Sequence, residues 1–121
     1  MNYNTLNVLS LAYIGDAIYE VYIRKHLIQK GIVKVEQLQK EAVNYVSAKN
    51  QAYFLKNMID NNVFTENEMQ IIIRARNHKG NRHPKNTDII THKHSTGLEA
   101  IIGYLYLNNN IERINYIMNY I

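Results

Sequence analysis

The chain contains a single proline, Pro84, and apolar residues recur at helical spacing on both sides of it. Because proline interrupts helices and strand-like alternation is rare here, the pattern predicts an all-α fold with about six helices. One long polar loop is expected over residues 77 to 94. The length of 121 residues fits one domain spanning residues 1–121. In the first predicted helix, the repeating apolar residues are Leu6, Leu11, Ile14, Ile18, Val21 and Ile28.

The positive charge of the chain is concentrated in and around this loop. Between Arg74 and Lys93, six basic residues oppose the single acidic residue Asp88, so this segment has a net charge of +5, whereas the whole chain carries +4. A concentrated basic segment predicts a polyanionic partner, with simple solvation of the charges as the alternative. The six basic residues are Arg74, Arg76, Lys79, Arg82, Lys85 and Lys93.

The most unusual local sequence lies in the first predicted helix, where Gly15 and Asp16 stand together inside an apolar run. Both residue types are poor helix formers, and a local rule broken in this way often marks a functional site. Glu20 follows one turn later and therefore shares a helix face with Asp16. The alternative is that Asp16 is merely exposed and Gly15 only permits close helix packing.

A second acidic candidate, Glu99, stands at the start of a strongly apolar stretch. Thr96 precedes it by three residues, which is the spacing of a capping box, so Glu99 could instead cap a helix that opens at Ser95. If Asp16 and Glu99 converge near the basic segment, they suit Mg²⁺. This ion binds through one or two carboxylates, keeps several waters and contacts a substrate phosphate.

Other kinds of site find little support in the sequence. The absence of cysteine excludes disulfides, thiolate zinc sites and cysteine nucleophiles. Four histidines near the loop lack a helical i, i+4 pair, which favours solvated or phosphate-contacting roles over zinc binding. A basic leader and a long apolar span are both missing, so a cytoplasmic protein without a membrane partner is expected. The four histidines are His78, His83, His92 and His94.

Residues 11–20, Leu-Ala-Tyr-Ile-Gly-Asp-Ala-Ile-Tyr-Glu, resemble the signature helix of ribonuclease III domains, and most closely the variant found in the Mini-ribonuclease III subfamily. Residues 74–77, 84–88 and 95–107 match that subfamily in the same order and spacing, so the resemblance covers essentially the whole chain. It implies an endoribonuclease that cleaves double-stranded RNA with Mg²⁺, for which Mn²⁺ can substitute. It also implies an all-α homodimer without a separate RNA-binding domain.

The resemblance also assigns roles to residues. Asp16 matches the catalytic aspartate of the signature helix, and Glu99 matches the essential metal-binding glutamate. Ala12 and Thr96 occupy two positions that are acidic in the general ribonuclease III pattern. Extra waters, or Glu20 from just outside the metal's ligands, are therefore expected to complete the site, and the number of metals stays open.

The same resemblance implies a substrate. Members of the subfamily mature large-subunit (23S) ribosomal RNA precursors, so a ribosomal RNA precursor is the expected partner. Because duplex RNA is recognised largely through its phosphates and 2′-hydroxyls, the six basic residues are expected to contact it.

Two other functions also fit the residues. The first is a non-catalytic RNA-binding or ribosome-associated module on the same fold, in which Asp16 and Glu99 are structural. The second is a purely structural helical dimer, which leaves the basic segment unexplained. The presence of both acids within the full motif favours the enzyme.

Overall fold

The computed structural model describes residues 1–79 and 88–121. A 3₁₀ turn at Tyr3–Thr5 precedes six α-helices, and no strand occurs among the described residues, so the predicted all-α fold is confirmed. The helices are α1 (Val8–Gln29), α2 (Val35–Val46), α3 (Ala48–Asp60), α4 (Glu66–Arg76), α5 (Ile89–Leu107) and α6 (Ile111–Met118). No described helix combines the length and the apolarity that a bilayer crossing requires.

Helix ends follow local capping chemistry. The Thr65 hydroxyl accepts the backbone N–H of Glu68, while the Glu68 carboxylate accepts that of Thr65, which completes a capping box at the start of α4. Beyond the end of α1, Gly31 adopts a φ of +97°, a conformation that favours glycine.

Helix α5 forms the centre of the fold and packs against α1, α3 and α4. Most residues of α5 between Ser95 and Leu105 are buried, because this half of the helix packs against three other helices at once. The largest fully buried α5 side chains are Leu98, Ile101 and Ile102. Functional groups on this helix are consequently held by its neighbours on several sides.

The predicted start of α5 at Ser95 is wrong. The helix begins at Ile89, and the Asp88 side chain caps it by accepting the Thr91 backbone N–H at 2.9 Å and the Thr91 hydroxyl at 2.8 Å. The first two turns carry polar residues and few buried ones, so they lack the apolar periodicity that revealed the rest of the helix. Lys93 is therefore helical rather than part of a loop. The remaining predicted loop residues, numbers 80–87, lie outside the described residues, and they include Arg82, His83 and Lys85.

The apolar stripe predicted for α1 is also partly wrong. Val21 and Ile28 are exposed, whereas Tyr19 and Ile23 are buried. The buried face therefore lies to one side of the predicted stripe, and α1 presents apolar residues to its surroundings.

Candidate active site

Helices α1 and α5 cross where two glycines bring their backbones into contact. A Cβ atom on Gly15 would lie 1.7 Å from the carbonyl oxygen of Glu99, and one on Gly103 would lie 1.9 Å from that of Leu11. No real Cβ makes such contacts, and a backbone cannot move aside as a side chain can. The two glycines therefore allow the main chains to touch, which places Asp16, the neighbour of Gly15, beside Glu99.

Asp16, Glu20 and Glu99 form an acidic cluster at this crossing. Burial raises the pKa of the half-buried Glu99 carboxyl to about 9. A side-chain hydrogen bond with Asp16, the charge of Asp16 and the charge of Glu20 act in the same direction. Asp16 itself is exposed. The structure thus brings together the two acids singled out in the sequence, with Glu20 close enough to act on Glu99 electrostatically.

The alternative role of Glu99 as a helix cap is wrong. Glu99 lies well inside α5, far from its N-terminus at Ile89. Thr96 is buried, and its hydroxyl donates to the carbonyl of His92 at 2.9 Å, so it does not cap the helix. For Gly15 and Asp16, the two alternatives were a functional site and simple close packing of the helices. They are compatible, because close packing at Gly15 is what brings Asp16 to Glu99.

Gln51 on α3 is a polar neighbour of Glu99 that the sequence analysis missed. Its side chain is only 1% exposed, and its Oε1 accepts a hydrogen bond from the Ser95 hydroxyl at 2.5 Å. A side-chain hydrogen bond between Gln51 and Glu99 opposes the upward shift of the Glu99 pKa. The signal was present in the sequence, since Gln51 precedes Leu55 by one helical turn on the buried face of α3.

Tyr19 closes the inner side of the cluster. Its ring is fully buried, and its hydroxyl donates to the carbonyl oxygen of Tyr45 at 2.6 Å. Burial raises the pKa of Tyr19, and the charge of Glu99 raises it further, so this phenol stays neutral. It is thus a fixed, uncharged neighbour of Glu99.

The donor set fits a hydrated hard cation. Within residues 1–79 and 88–121, no group of three or more acidic or histidine side chains is arranged to hold a metal ion. The cluster nevertheless offers two carboxylates, Asp16 and Glu99, whose mutual repulsion a divalent cation would relieve. One or two carboxylates, completed by waters, are what Mg²⁺ commonly takes from a protein.

The described basic residues differ in their surroundings. The Arg74 guanidinium donates to the carbonyl oxygens of Asn4 and Leu6, so it also ties the chain before α1 to α4. Arg76 is half-buried, with its aliphatic part close to Gly97 of α5. Lys79 is exposed and Lys93 is half-buried.

Comparison with known proteins agrees with the fold. The profile of the ribonuclease III domain matches residues 9–110, and the chain belongs to this family. It is therefore an endoribonuclease.

Individual relatives of the chain point to one subfamily, Mini-ribonuclease 3. The chain is 44% identical to the Mini-ribonuclease 3 of Streptococcus pneumoniae, with 97% of this chain and 91% of that protein aligned. It is 48% identical to the Mini-ribonuclease 3 of Brevibacillus brevis, over 92% and 81% of the two chains. The crystal structure of a protein from Fusobacterium nucleatum superimposes on this chain with a TM-score of 0.85 and is 36% identical to it in sequence. The superposition covers 95% of this chain and 92% of the Fusobacterium chain. The resemblance stated from the motifs is confirmed.

Proposed function

We propose that this chain hydrolyses phosphodiester bonds in double-stranded RNA, with Mg²⁺ bound by Asp16 and Glu99. The observation that supports this most directly is the meeting of these two carboxylates at the α1–α5 crossing. The ribonuclease III family acts on double-stranded RNA, and the relatives named above carry the name of a nuclease. We propose that residues 1–121 form one catalytic domain.

The two acids have different surroundings and so play different parts. Asp16 is exposed and can face the RNA backbone, whereas Glu99 is recessed and held from the protein side. Glu20, one turn beyond Asp16, adds negative charge without being needed as a direct ligand. Bound Mg²⁺, or Mn²⁺ in its place, would supply charge stabilisation at the scissile phosphate and a more acidic water. The expected products carry 5′-phosphate and 3′-hydroxyl ends.

Basic residues on α5 and at the end of α4 suit an RNA backbone. Lys93 precedes Glu99 on α5 by six residues, which is about 9 Å along the helix axis. Arg76, at the end of α4, lies against α5 at Gly97, and Lys79 follows it in sequence. The proposed RNA-binding set is Arg74, Arg76, Lys79, Arg82, Lys85 and Lys93.

Exposed apolar residues on α1 and α2 support a homodimer. Tyr13, three residues before Asp16 on α1, is 84% exposed. An apolar groove also runs between α1 and α2, lined in part by Ile28, Val35 and Val43, all of which are exposed. Such surfaces commonly mark protein contacts. A second copy of the chain would supply a second active site, so that each site cuts one strand of the duplex.

The cellular role follows from the subfamily. We propose that the enzyme matures the large-subunit (23S) ribosomal RNA precursor in the cytoplasm and so contributes to ribosome biogenesis. The relatives that are 44% and 48% identical over their aligned residues are both named Mini-ribonuclease 3.

Cleavage of a long, defined RNA duplex tests this proposal. We expect the wild-type chain to cut it in Mg²⁺ and to leave it intact when the metal is chelated. Asp16→Asn, which keeps the size of the side chain, should abolish cleavage while retaining the fold and duplex binding. Unchanged cleavage by this variant would remove Asp16 from its proposed role. If the wild-type chain bound the duplex but never cut it, the non-catalytic RNA-binding module would be favoured instead.

A further inference from the structure

We infer that Gln51 is a positioning residue, which holds the Glu99 carboxylate in the orientation needed to bind the metal, and that Ser95 fixes the direction of the Gln51 amide. The inference rests on the proposed metal-binding role of Glu99. It adds a helix to the site, because Gln51 belongs to α3 whereas the acids belong to α1 and α5.

The location of Gln51 calls for a polar explanation. The side chain is 1% exposed and shares its helix face with the buried residues Leu55 and Met58. An apolar side chain of the same length would fill this position without burying an amide, which is costly unless the amide is hydrogen-bonded. Gln51 meets this requirement through the Ser95 hydroxyl, which bonds its Oε1, and its second polar partner is Glu99.

Both partners lie on one face of α5. Ser95 precedes Glu99 by four residues, so the two side chains project toward α3 one above the other. The Ser95 hydroxyl donates to Oε1 of Gln51 at 2.5 Å. With that oxygen turned toward Ser95, the amide nitrogen is the group that bonds Glu99, and it can only donate, in agreement with the lowering effect of Gln51 on the Glu99 pKa.

The direction of the hydrogen bond from Gln51 to Glu99 has a chemical consequence. A donor aimed at Glu99 matches the acceptor character of carboxylate oxygens, which are the ligand atoms that Mg²⁺ prefers. The hydrogen bond also restrains the carboxylate from the protein side and leaves its outer side free to face Asp16. Groups that orient metal ligands in this way commonly change metal affinity or activity by about 10- to 100-fold when they are removed.

Metal binding can be measured apart from catalysis. Mn²⁺ binding to the RNA-free protein is followed by the loss of the paramagnetic resonance signal of free Mn²⁺, for wild type, Gln51→Met and Ser95→Ala. Methionine keeps the length and shape of glutamine but lacks the amide. We expect Gln51→Met to weaken Mn²⁺ binding by about 10-fold or more and to slow duplex cleavage by about 10- to 100-fold. Duplex binding without metal should be unchanged.

Ser95→Ala tests the orientation of the amide. Without the hydroxyl, the Gln51 amide can turn its oxygen toward Glu99, so we expect a smaller loss of Mn²⁺ affinity than in Gln51→Met. Combining the two changes should be no worse than Gln51→Met alone, because both act through one hydrogen bond. If Gln51→Met does not fold, Ser95→Ala carries the test, and wild-type Mn²⁺ affinity in that variant overturns the inference.

Two controls separate the possible failures. Glu68→Gln disturbs a buried ion pair with Arg113 elsewhere in the fold, so it should lower thermal stability and leave Mn²⁺ affinity intact. Asp16→Asn should weaken Mn²⁺ binding strongly, and if it does not, the proposed metal site itself is wrong. If Asp16→Asn weakens Mn²⁺ binding and a folded Gln51→Met does not, the inference about Gln51 alone is wrong.

Discussion

The backbone of Gly15 in α1 rests directly against the carbonyl group of Glu99 in α5, and a Cβ atom on Gly15 would lie 1.7 Å from that oxygen. Helix–helix contacts are usually made through side chains, with axes about 8–10 Å apart. Here the main chains themselves touch. The spacing of the two proposed metal-binding acids is therefore set by the closest approach that a peptide backbone allows.

Replacing Gly15 by alanine should force the two helices apart. We expect Gly15→Ala to lower the free energy of unfolding by about 3 kcal/mol or more, above the usual cost of overpacking, because the obstacle is backbone. Cleavage should fall at least as strongly, since Asp16 moves with α1. Urea denaturation and duplex cleavage measure the two effects.

Gly97→Ala is the matched control on α5. The three atoms nearest to its new Cβ all belong to side chains, those of Arg76, Leu55 and Ile72, at 3.2–3.4 Å, and side chains can shift slightly where a backbone cannot. Alanine also favours a helix over glycine by about 1 kcal/mol, so stability should change little. Equal losses of stability in Gly15→Ala and Gly97→Ala would contradict the backbone contact at Gly15.

The clustered acids should destabilise the metal-free protein as the pH rises. The pKa of Glu99 is raised to about 9 in the folded state, so folding favours its protonated form. The cost of this shift is absent below the ordinary glutamate pKa, grows as the pH rises above it, and levels off near pH 9. Glu99→Gln removes this cost and should stabilise the chain by about 1–2 kcal/mol at pH 8, without a gain near pH 4.

Saturating Mg²⁺ should reverse that order of stability. A ligand that binds only the folded state stabilises it, and the variant has lost the proposed ligand. Thermal unfolding of both proteins, with and without Mg²⁺, tests this. A variant that Mg²⁺ stabilises as much as it stabilises the wild type would show that Glu99 does not hold the metal.

The ion pair of Glu68 and Arg113 should have the opposite pH dependence to Glu99, because it stabilises the fold at neutral pH and loses this effect in acid. Burial alone would raise the pKa of Glu68, but hydrogen bonds from Arg113 and Thr65 outweigh it and hold the pKa below its ordinary value. The Arg113 guanidinium also donates to the Val63 carbonyl oxygen at 2.6 Å. The contribution of ionised Glu68 is thus complete above its ordinary pKa and is lost as the pH falls through the lowered folded-state pKa.

Arg113→Met should lower the free energy of unfolding at pH 7 by about 2–4 kcal/mol, because Glu68 is left buried and unpaired. The difference from wild type should shrink below about pH 4 as Glu68 takes up a proton. Chemical denaturation at several pH values measures this. A difference that stayed constant with pH would mean that packing, rather than charge, accounts for the effect.

The charges of Lys79 and Lys93 should govern the salt dependence of RNA binding. Replacing Lys79 and Lys93 together by glutamine should reduce the slope of log affinity against log salt by about 1–2, because each phosphate contact releases about one counterion. The control pair Lys30→Gln and Lys34→Gln removes the same charge near the α1–α2 turn. If both pairs changed the slope equally, binding would not depend on the proposed surface.

Sequence reasoning reached the all-α fold and both acids because those features are local. The apolar periodicity of α5 is strong after Ser95, where three helices cover it, and weak before, where polar residues face outward. The start at Ile89 depends on Asp88 as a cap, which is inconspicuous inside a polar stretch. Gln51 was not predicted for another reason. Its partners Ser95 and Glu99 are 44 and 48 residues away, and only the packing of α3 on α5 brings them together.

Because main-chain contact at Gly15 and Gly103 fixes how closely α1 and α5 approach, the spacing of the two backbones that carry the acids is largely independent of the apolar side chains elsewhere in the core. Exchanges among the apolar residues of α3, α4 and α6 can alter stability without resetting the distance between Asp16 and Glu99. The thermal stability of this nuclease can therefore change over a wide range of sequences, in evolution or by design, provided that positions 15 and 103 remain glycine.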